Sequence, residues 1–296
     1  MTQQRQVEQQ RQTLAEIQNI MNSMKTLAYL ETRKLNRFLD AQRKVVAHID
    51  TVAKDFFSFH QELLPQKDSN INIFLLLGSE QGFCGDFNAS LLHSLETHID
   101  ENKIENPGLI ATGRKLVILL ERDPRVIAFH DGANVVDEVG KVLNQVITTF
   151  VRLQTQNSNA SFTVIYHDSL SERISIEKLL PPFDKYKNIS PQYTYPPLMN
   201  LKPEEFFAEL IDYYLFSVVH MMMYVSLMAE NLQRVQHLEG AMRHLDKKSE
   251  ELLRKSNALR QEEITEEIEV ILLNAINTEQ KAPKNADCYN YRNPAI

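Results

Sequence analysis

Apolar residues recur every seven positions from the start of this chain to Leu64. One row runs Leu14, Met21, Ala28, Leu35, Gln42, Ile49, Phe56 and Leu63. A second row, three residues on, runs Ile17, Met24, Glu31, Phe38, Val45, Val52 and Phe59. Two such rows form the seam of a left-handed coiled coil. The spacing predicts a helical arm over residues 1–64, which hold neither glycine nor proline. Residues 204–280 repeat the pattern, with Leu238, Leu245, Leu252 and Leu259 beside Val235, Met242, Ser249 and Ser256. The serines are small and let a partner helix come close. The two arms can pair antiparallel if the middle of the chain returns to its start, or self-associate as a parallel dimer. Heptads alone leave both open. Ahead of the second seam, Phe206 to Met228 is apolar over more than one face, which predicts burial on several sides. Tyr213 to Ala229 is free of Asp, Glu, Lys and Arg. At the lower length limit for a membrane span, and containing His220, it reads as a buried helix.

The middle, residues 65–203, has a different period. Seven of the eight glycines lie between Gly78 and Gly140, and nine of the eleven prolines between Pro65 and Pro203. Ile71 to Leu77 is a continuous apolar run suited to a buried parallel strand. A glycine-rich turn, GSEQGFCGDFN, follows. Helical spacing over Ala89–Asp100 and Val135–Leu153 alternates with strand candidates at Leu109–Thr112, Arg125–Phe129 and Phe162–Tyr166, the order of a small α/β sheet. Pro181 to Pro203 reads as a Pro-rich connection back to the second arm, and residues 281–296 as a tail outside it.

With 296 residues and 43% apolar content, the chain can bury a core without staples. Its two cysteines, Cys84 and Cys288, form no CxxC pair, so a disulfide framework or structural zinc is not expected and a reducing compartment is. A net charge of −7 disfavours a nucleic-acid binder. The N-terminal MTQQRQVEQQRQ has neither the apolar core of a signal peptide nor the Arg/Ser-rich character of an organelle presequence.

The chemistry-bearing signals are few. Gly78, Gly82 and Gly85 in the turn do not have G-x-G-x-x-G spacing, no G-K-[ST] follows, and Asp86 puts negative charge where a phosphate would sit. There is no G-x-S-x-G and no H-E-x-x-H, and Cys84 has no assignable partner histidine. His237 and His244 share a helix face without a third ligand in view, which reads as solvated surface. The run Met221–Met222–Met223 suits adaptable packing. From the residues alone, a mechanical or scaffolding protein is expected rather than an enzyme.

The last helix carries a more specific pattern. Glu230, Arg234, Ala241, Leu252, Asn257, Arg260, Gln261, Ile264, Thr265, Glu267, Ile268, Ile271 and Ala275 fall without a gap. Together they resemble the C-terminal helix of the gamma subunits of F-type ATP synthases. Two further segments are similar to that family: the turn Glu80–Asn88, against a family pattern like D-R-G-L-C-G-G-L-N, and Asn19–Ala28, against K-I-T-x-A-M-x-x-V-A. The resemblance extends over residues of about 14 to 276.

It implies an antiparallel coiled coil of the two terminal helices with a Rossmann-like α/β domain between them, and a non-catalytic rotor shaft. The shaft would stand within a ring of three alpha and three beta subunits, beside epsilon and above a membrane c ring. It would lie at the cytoplasmic face of a bacterial inner membrane and need no cofactor. A non-rotary coiled-coil adaptor with an α/β head is the alternative. Carried over by position, Arg260 and Gln261 would bond a catch loop on one beta subunit, and an arginine fork suits a beta carboxylate. Glu267, Ile271 and Ala275 would lie in the collar of the ring. Gly82, Phe83, Cys84, Gly85 and Asn88 would form a neck turn facing the lower part of beta, and Met24 would lie in the torque-bearing coil. The sequence departs from the family at Gln81, Asp86, Glu262 and Glu263. Six glutamates and no Lys or Arg stand between Gln261 and Gln280, so an acidic loop on beta would be repelled there.

Overall fold

A computed structural model describes residues 3–64, 71–156, 160–187, 189–191 and 193–280, with side chains to residue 274. The expected tail at 281–296 lies outside them. In chain order the elements are α1 (Gln3–Phe57), β1 (Ile71–Leu77), α2 (Phe87–Asn102), β2 (Gly108–Thr112) and α3 (Arg114–Leu119). There follow β3 (Val126–His130), α4 (Val139–Gln156), β4 (Ala160–Asp168), β5 (Arg173–Leu180) and α5 (Pro203–Gln280). Pro203 opens α5 where a missing N–H costs nothing, and Glu204 and Glu205 complement the positive end of the helix dipole. The chain divides into two compact units, Met21–Ala241, and Met1–Ile20 with Met242–Ile296.

In the larger unit the sheet order is β3-β2-β1-β4-β5. β1 to β4 run parallel and β5 pairs antiparallel on the edge. This is the Rossmann-like arrangement, with its topological switch point between β1 and β4. Strand β1 is apolar throughout because both of its faces are covered. On one face Phe74 and Leu76 meet Leu91 and Leu95 of α2 and Leu116 of α3. On the other, Ile73 and Leu75 join Val142, Leu143 and Phe150 of α4, Leu35 and Leu39 of α1, and Val219 and Met222 of α5. The terminal helices are thus part of the core of the α/β domain. The charge-free stretch 213–229 has its apolarity accounted for by this packing, with Val218, Val219, Met222 and Val225 buried.

Within this unit α1 and α5 run antiparallel: Lys25 pairs with Glu239 at 3.7 Å, and the Gln42 Nε2 donates to the Ser217 carbonyl at 3.0 Å. The seam differs from the expected one. The first row holds, with Met21, Ala28, Leu35 and Phe56 buried, but Phe38, Val45 and Val52 are each more than 40% exposed. The inner partner row is one residue further along: Lys25, Thr32, Leu39, Val46 and Ala53, of which Thr32, Leu39 and Ala53 are buried. An offset of four is as compatible with a heptad as an offset of three. The α4 and sheet contacts select the face that carries Leu39.

The smaller unit has the same seam logic. Val7 is buried, Leu14, Leu245, Leu252 and Leu259 are half-buried, and Ser256 is buried where a small residue is required. Gln18 Nε2 donates to Asp246 Oδ1 at 2.7 Å.

Candidate functional site: the neck turn and its latch

β1 ends at Leu77 and the chain turns sharply through Gly78. A Cβ there would stand 2.4 Å from Leu116 Cβ and 2.9 Å from the Thr112 carbonyl, so only glycine lets β1, β2 and α3 close on one another. Asn88 folds the turn back on itself: its Oδ1 accepts the Ser79 N–H at 2.9 Å and its Nδ2 donates to Ser79 Oγ at 2.8 Å. Gly85 takes a positive φ of 61°, and Phe83, also left-handed, leaves its ring half-exposed. Cys84 and Phe87 are buried together against Ala229 of α5. Phe87 stacks on His167 at 3.9 Å, and the His167 Nε2–H donates to the Phe87 carbonyl at 2.8 Å, tying the turn to the end of β4.

In open parallel sheets the crevice beyond the strand ends at the switch point takes the ligand. Here α5 crosses it. Ser226 Oγ donates to the Leu77 carbonyl at 3.2 Å. One turn on, Glu230 and Arg234 form an ion pair at i and i+4 with only 5% and 4% of their side-chain surface exposed. Arg234 spends its remaining donors on the turn: Nε to the Gly82 carbonyl at 3.2 Å, Nη2 to Cys84 Sγ at 3.3 Å, and Nη1 to Asn231 Oδ1 at 2.8 Å. Glu230 in turn accepts from the Gln81 N–H at 3.4 Å. Burial pushes the Glu230 carboxyl above the usual carboxylate range, with Arg234 and the turn's N–H groups pulling it back. Burial likewise pushes the Cys84 thiol up to about 11, so it stays protonated and unreactive at neutral pH. On the other side of the turn Glu80 accepts the Arg114 N–H at 3.0 Å and the Gly132 N–H at 2.6 Å. A cavity of about 30 Å³, room for a water, remains between Leu77, Gly78, Ser226 and Glu230. The crevice is filled by the chain's own helix, and its charges are committed to the turn.

The other expected positions lie apart from this latch. Met24 is half-buried on α1, beside the seam. Arg260, Gln261 and Glu267 are exposed on α5, and Gln261 uses its carbonyl for Thr265 Oγ1 at 2.9 Å. Ile271 is 67% exposed, in line with exposed Ile264, Ile268, Val270, Leu272 and Leu273. Ala275 belongs to α5, and its side chain lies outside the described ones. No group of three or more His, Cys, Asp or Glu side chains able to hold a metal occurs among the described residues.

The family model described as ATP synthase matches residues 3–275. The chain belongs to the ATP synthase family. Its relatives within the family include the ATP synthase gamma chain of Fusobacterium nucleatum, 22% identical over 88% of this chain and 93% of that one. That of Clostridium perfringens is 24% identical over 86% and 90%. Among solved structures, the central stalk/c-ring of Tetrahymena thermophila mitochondrial ATP synthase matches with a TM-score of 0.58 at 18% identity, covering 75% of this chain and 99% of that one. An F1/c-ring structure of the Euglena gracilis enzyme matches with a TM-score of 0.57 at 15% identity, over 97% and 98%. The resemblance to gamma subunits and the expected fold, long terminal helices around a Rossmann-like sheet, are both borne out.

Within this family pattern, sequence reading had marked the turn but not what holds it. Glu230 and Arg234 stood out only as members of a motif, since a charged pair at i and i+4 is usually solvated. The available signal was position: they are the first charges after the charge-free stretch ending at Ala229. His167, Asn231 and Glu80 gave no such sign.

Proposed function

We propose that this chain is the gamma subunit, the central-stalk rotor that couples ion-driven rotation of a membrane c ring to conformational change in catalytic beta subunits. The observation that carries this reading is the extent of the family match, which takes in both arms and the middle domain. The chain itself would be non-catalytic, with ATP made or hydrolysed on beta. It would be a peripheral component at the cytoplasmic face of a bacterial inner membrane, with alpha, beta, epsilon and the c ring as partners. Residues 1–64 and 204–280 would be the arms of the shaft and 65–203 the part joined to the c ring.

The physical basis is differential contact. A shaft made of two unlike helices offers a different surface in each direction, so three identical beta subunits around it are biased toward different conformers. Exposed Arg260 and Gln261 are free to bond a beta loop, with the guanidinium fork suited to a carboxylate. Ile271 and its exposed apolar neighbours, with Glu267 and Ala275, suit a greasy collar, since contiguous exposed apolar surface marks a contact site. At the neck, the half-exposed Phe83 ring is the group that Gly82, Cys84, Gly85 and Asn88 hold toward a partner. The latch makes that neck rigid with α5, so turning the helix turns the domain. Met24, half-buried on α1, would belong to the torque-bearing coil. The test is to purify the tagged chain from its native cells and identify its companions by mass spectrometry. Alpha and beta in equal amounts, each about three per copy of this chain, are expected. A lone chain or homodimer would overturn the proposal in favour of an adaptor.

A further inference from the structure

Toward its C-terminal end the apolar face of α5 changes sides. Ser256 and Leu259 are the last seam positions, and the same two rows continue seven residues on at Glu263 and Glu266. The change falls where α1 runs out. Counting antiparallel from the Gln18–Asp246 bond brings Gln3, where α1 begins, level with Gln261. Residues 262–280 of α5 reach beyond that level by roughly 28 Å, at the helical rise per residue.

Two rows occupy this reach. Ile264, Ile268 and Ile271, spaced four and three apart, share one side of the helix and are 48%, 52% and 67% exposed. Glu262, Glu266 and Glu269 have the same spacing two residues earlier, about 200° round the helix, and are exposed on the opposite side. No Lys or Arg stands between Gln261 and Gln280 to balance them. The isoleucines lie off the seam, so α1 does not cover them, and a contiguous exposed apolar row marks a contact surface.

We infer that the ring collar around this tip carries Lys or Arg side chains that meet Glu262, Glu266 and Glu269, beside an apolar wall that meets Ile264, Ile268 and Ile271. The inference rests on the reading of the chain as a shaft within a ring of subunits. A ring surrounds the helix, so neither row is left to water. Enclosing a carboxylate without a cation is expensive, and a facing Lys or Arg repays part of that cost. A groove on one side would cover the isoleucines alone. A second copy of this tip would bring two glutamate-rich helices together with no cation between them. Because the rows lie on opposite sides, each subunit of the ring meets glutamates and then isoleucines as the shaft turns. Basic and apolar groups must therefore stand side by side on the collar.

The test places a photo-crosslinking amino acid at Glu266 in one variant and at Ile268 in another, in the full chain expressed with its partner subunits. The purified complexes are irradiated and cross-linked peptides are identified by mass spectrometry. Both positions are expected to reach one stretch of the collar that holds a Lys or Arg next to apolar residues. A third variant combines Glu262→Gln, Glu266→Gln and Glu269→Gln, which should leave the isolated chain folded, since all three side chains are exposed. Retention of ring subunits on the unaltered tagged chain should weaken about tenfold between low and high salt, and on this variant about twofold. A cross-linked collar without Lys or Arg, or equal salt dependence of the two chains, would overturn the inference and leave the rotor reading standing. Cross-links only to residues 281–296 or to a second copy of this chain, in an intact complex, would do the same. Failure of any ring to form would overturn both.

Discussion

Replacing Arg234 by Met keeps helix propensity and stem volume but removes the guanidinium from the latch. What is left behind sets the cost. Glu230, 4% exposed, loses its ion partner, and the Gly82 carbonyl and Asn231 Oδ1 lose their donors. Removing one partner of a buried pair costs about 3–5 kcal/mol, mostly the penalty of the stranded charge. Glu230→Leu with Arg234→Met strands no charge. It forfeits the bonds to the Gln81 N–H and the Gly82 carbonyl but removes two desolvation penalties, so it should cost less than Arg234→Met alone. The assay is urea unfolding of the isolated chain by circular dichroism, comparing midpoints at unchanged slope. A loss below about 1 kcal/mol for Arg234→Met, or a double variant at least as destabilised as Arg234→Met alone, would refute the account of a pair that is costly to split.

Other outcomes follow from the same geometry. Leu39→Ala and Leu238→Ala, each at a buried seam position, should cost about 2–5 kcal/mol in the same assay, while Val45→Gln and Val52→Gln on the exposed row should stay within about 0.5 kcal/mol. Equal costs for the two groups would contradict the offset of four. His130, His167 and His220 all have basicities lowered by burial, so the unfolded chain takes up protons first as pH falls. The histidine contribution to stability should therefore be level between about pH 7.5 and 8.5 and fall as pH drops below the ordinary histidine value of about 6.5. Unfolding midpoints at three pH values check this, and stability rising on acidification through that window would show the sign to be wrong. In a reconstituted complex, Arg260→Ala should lower coupled ATPase turnover with the fold of this chain unchanged. Unaltered turnover would remove Arg260 from the catch.

How far the sequence carried depended on whether burial was total or partial. β1 and β4 were legible because both their faces are covered, which leaves an unbroken apolar run in the chain. β5 was hidden because, as an edge strand with Arg173, Glu177 and Lys178, it reads as a loop. The short helix α3 was hidden by its length. The seam's first row was legible, but the second was misassigned because the exposed Phe38, Val45 and Val52 are greasier than the true inner residues. Among those, Lys25 reaches out to Glu239 and Thr32 returns its hydroxyl to the Tyr29 carbonyl at 2.7 Å. At the neck, the glycines and Asn88 were legible as a turn. The burial of Glu230 and Arg234 was not, because nothing local says that α5 crosses the end of β1.

The central claim is that this chain turns inside a ring of catalytic subunits. The most direct measurement immobilises the purified complex through its beta subunits, attaches a bead or gold rod to an exposed residue of the α/β domain, and follows it under the microscope on adding ATP. Sustained rotation in one direction, stopping when ATP is removed, is the predicted result. ATP hydrolysis by the same complexes with the probe merely fluctuating about a fixed angle would contradict it.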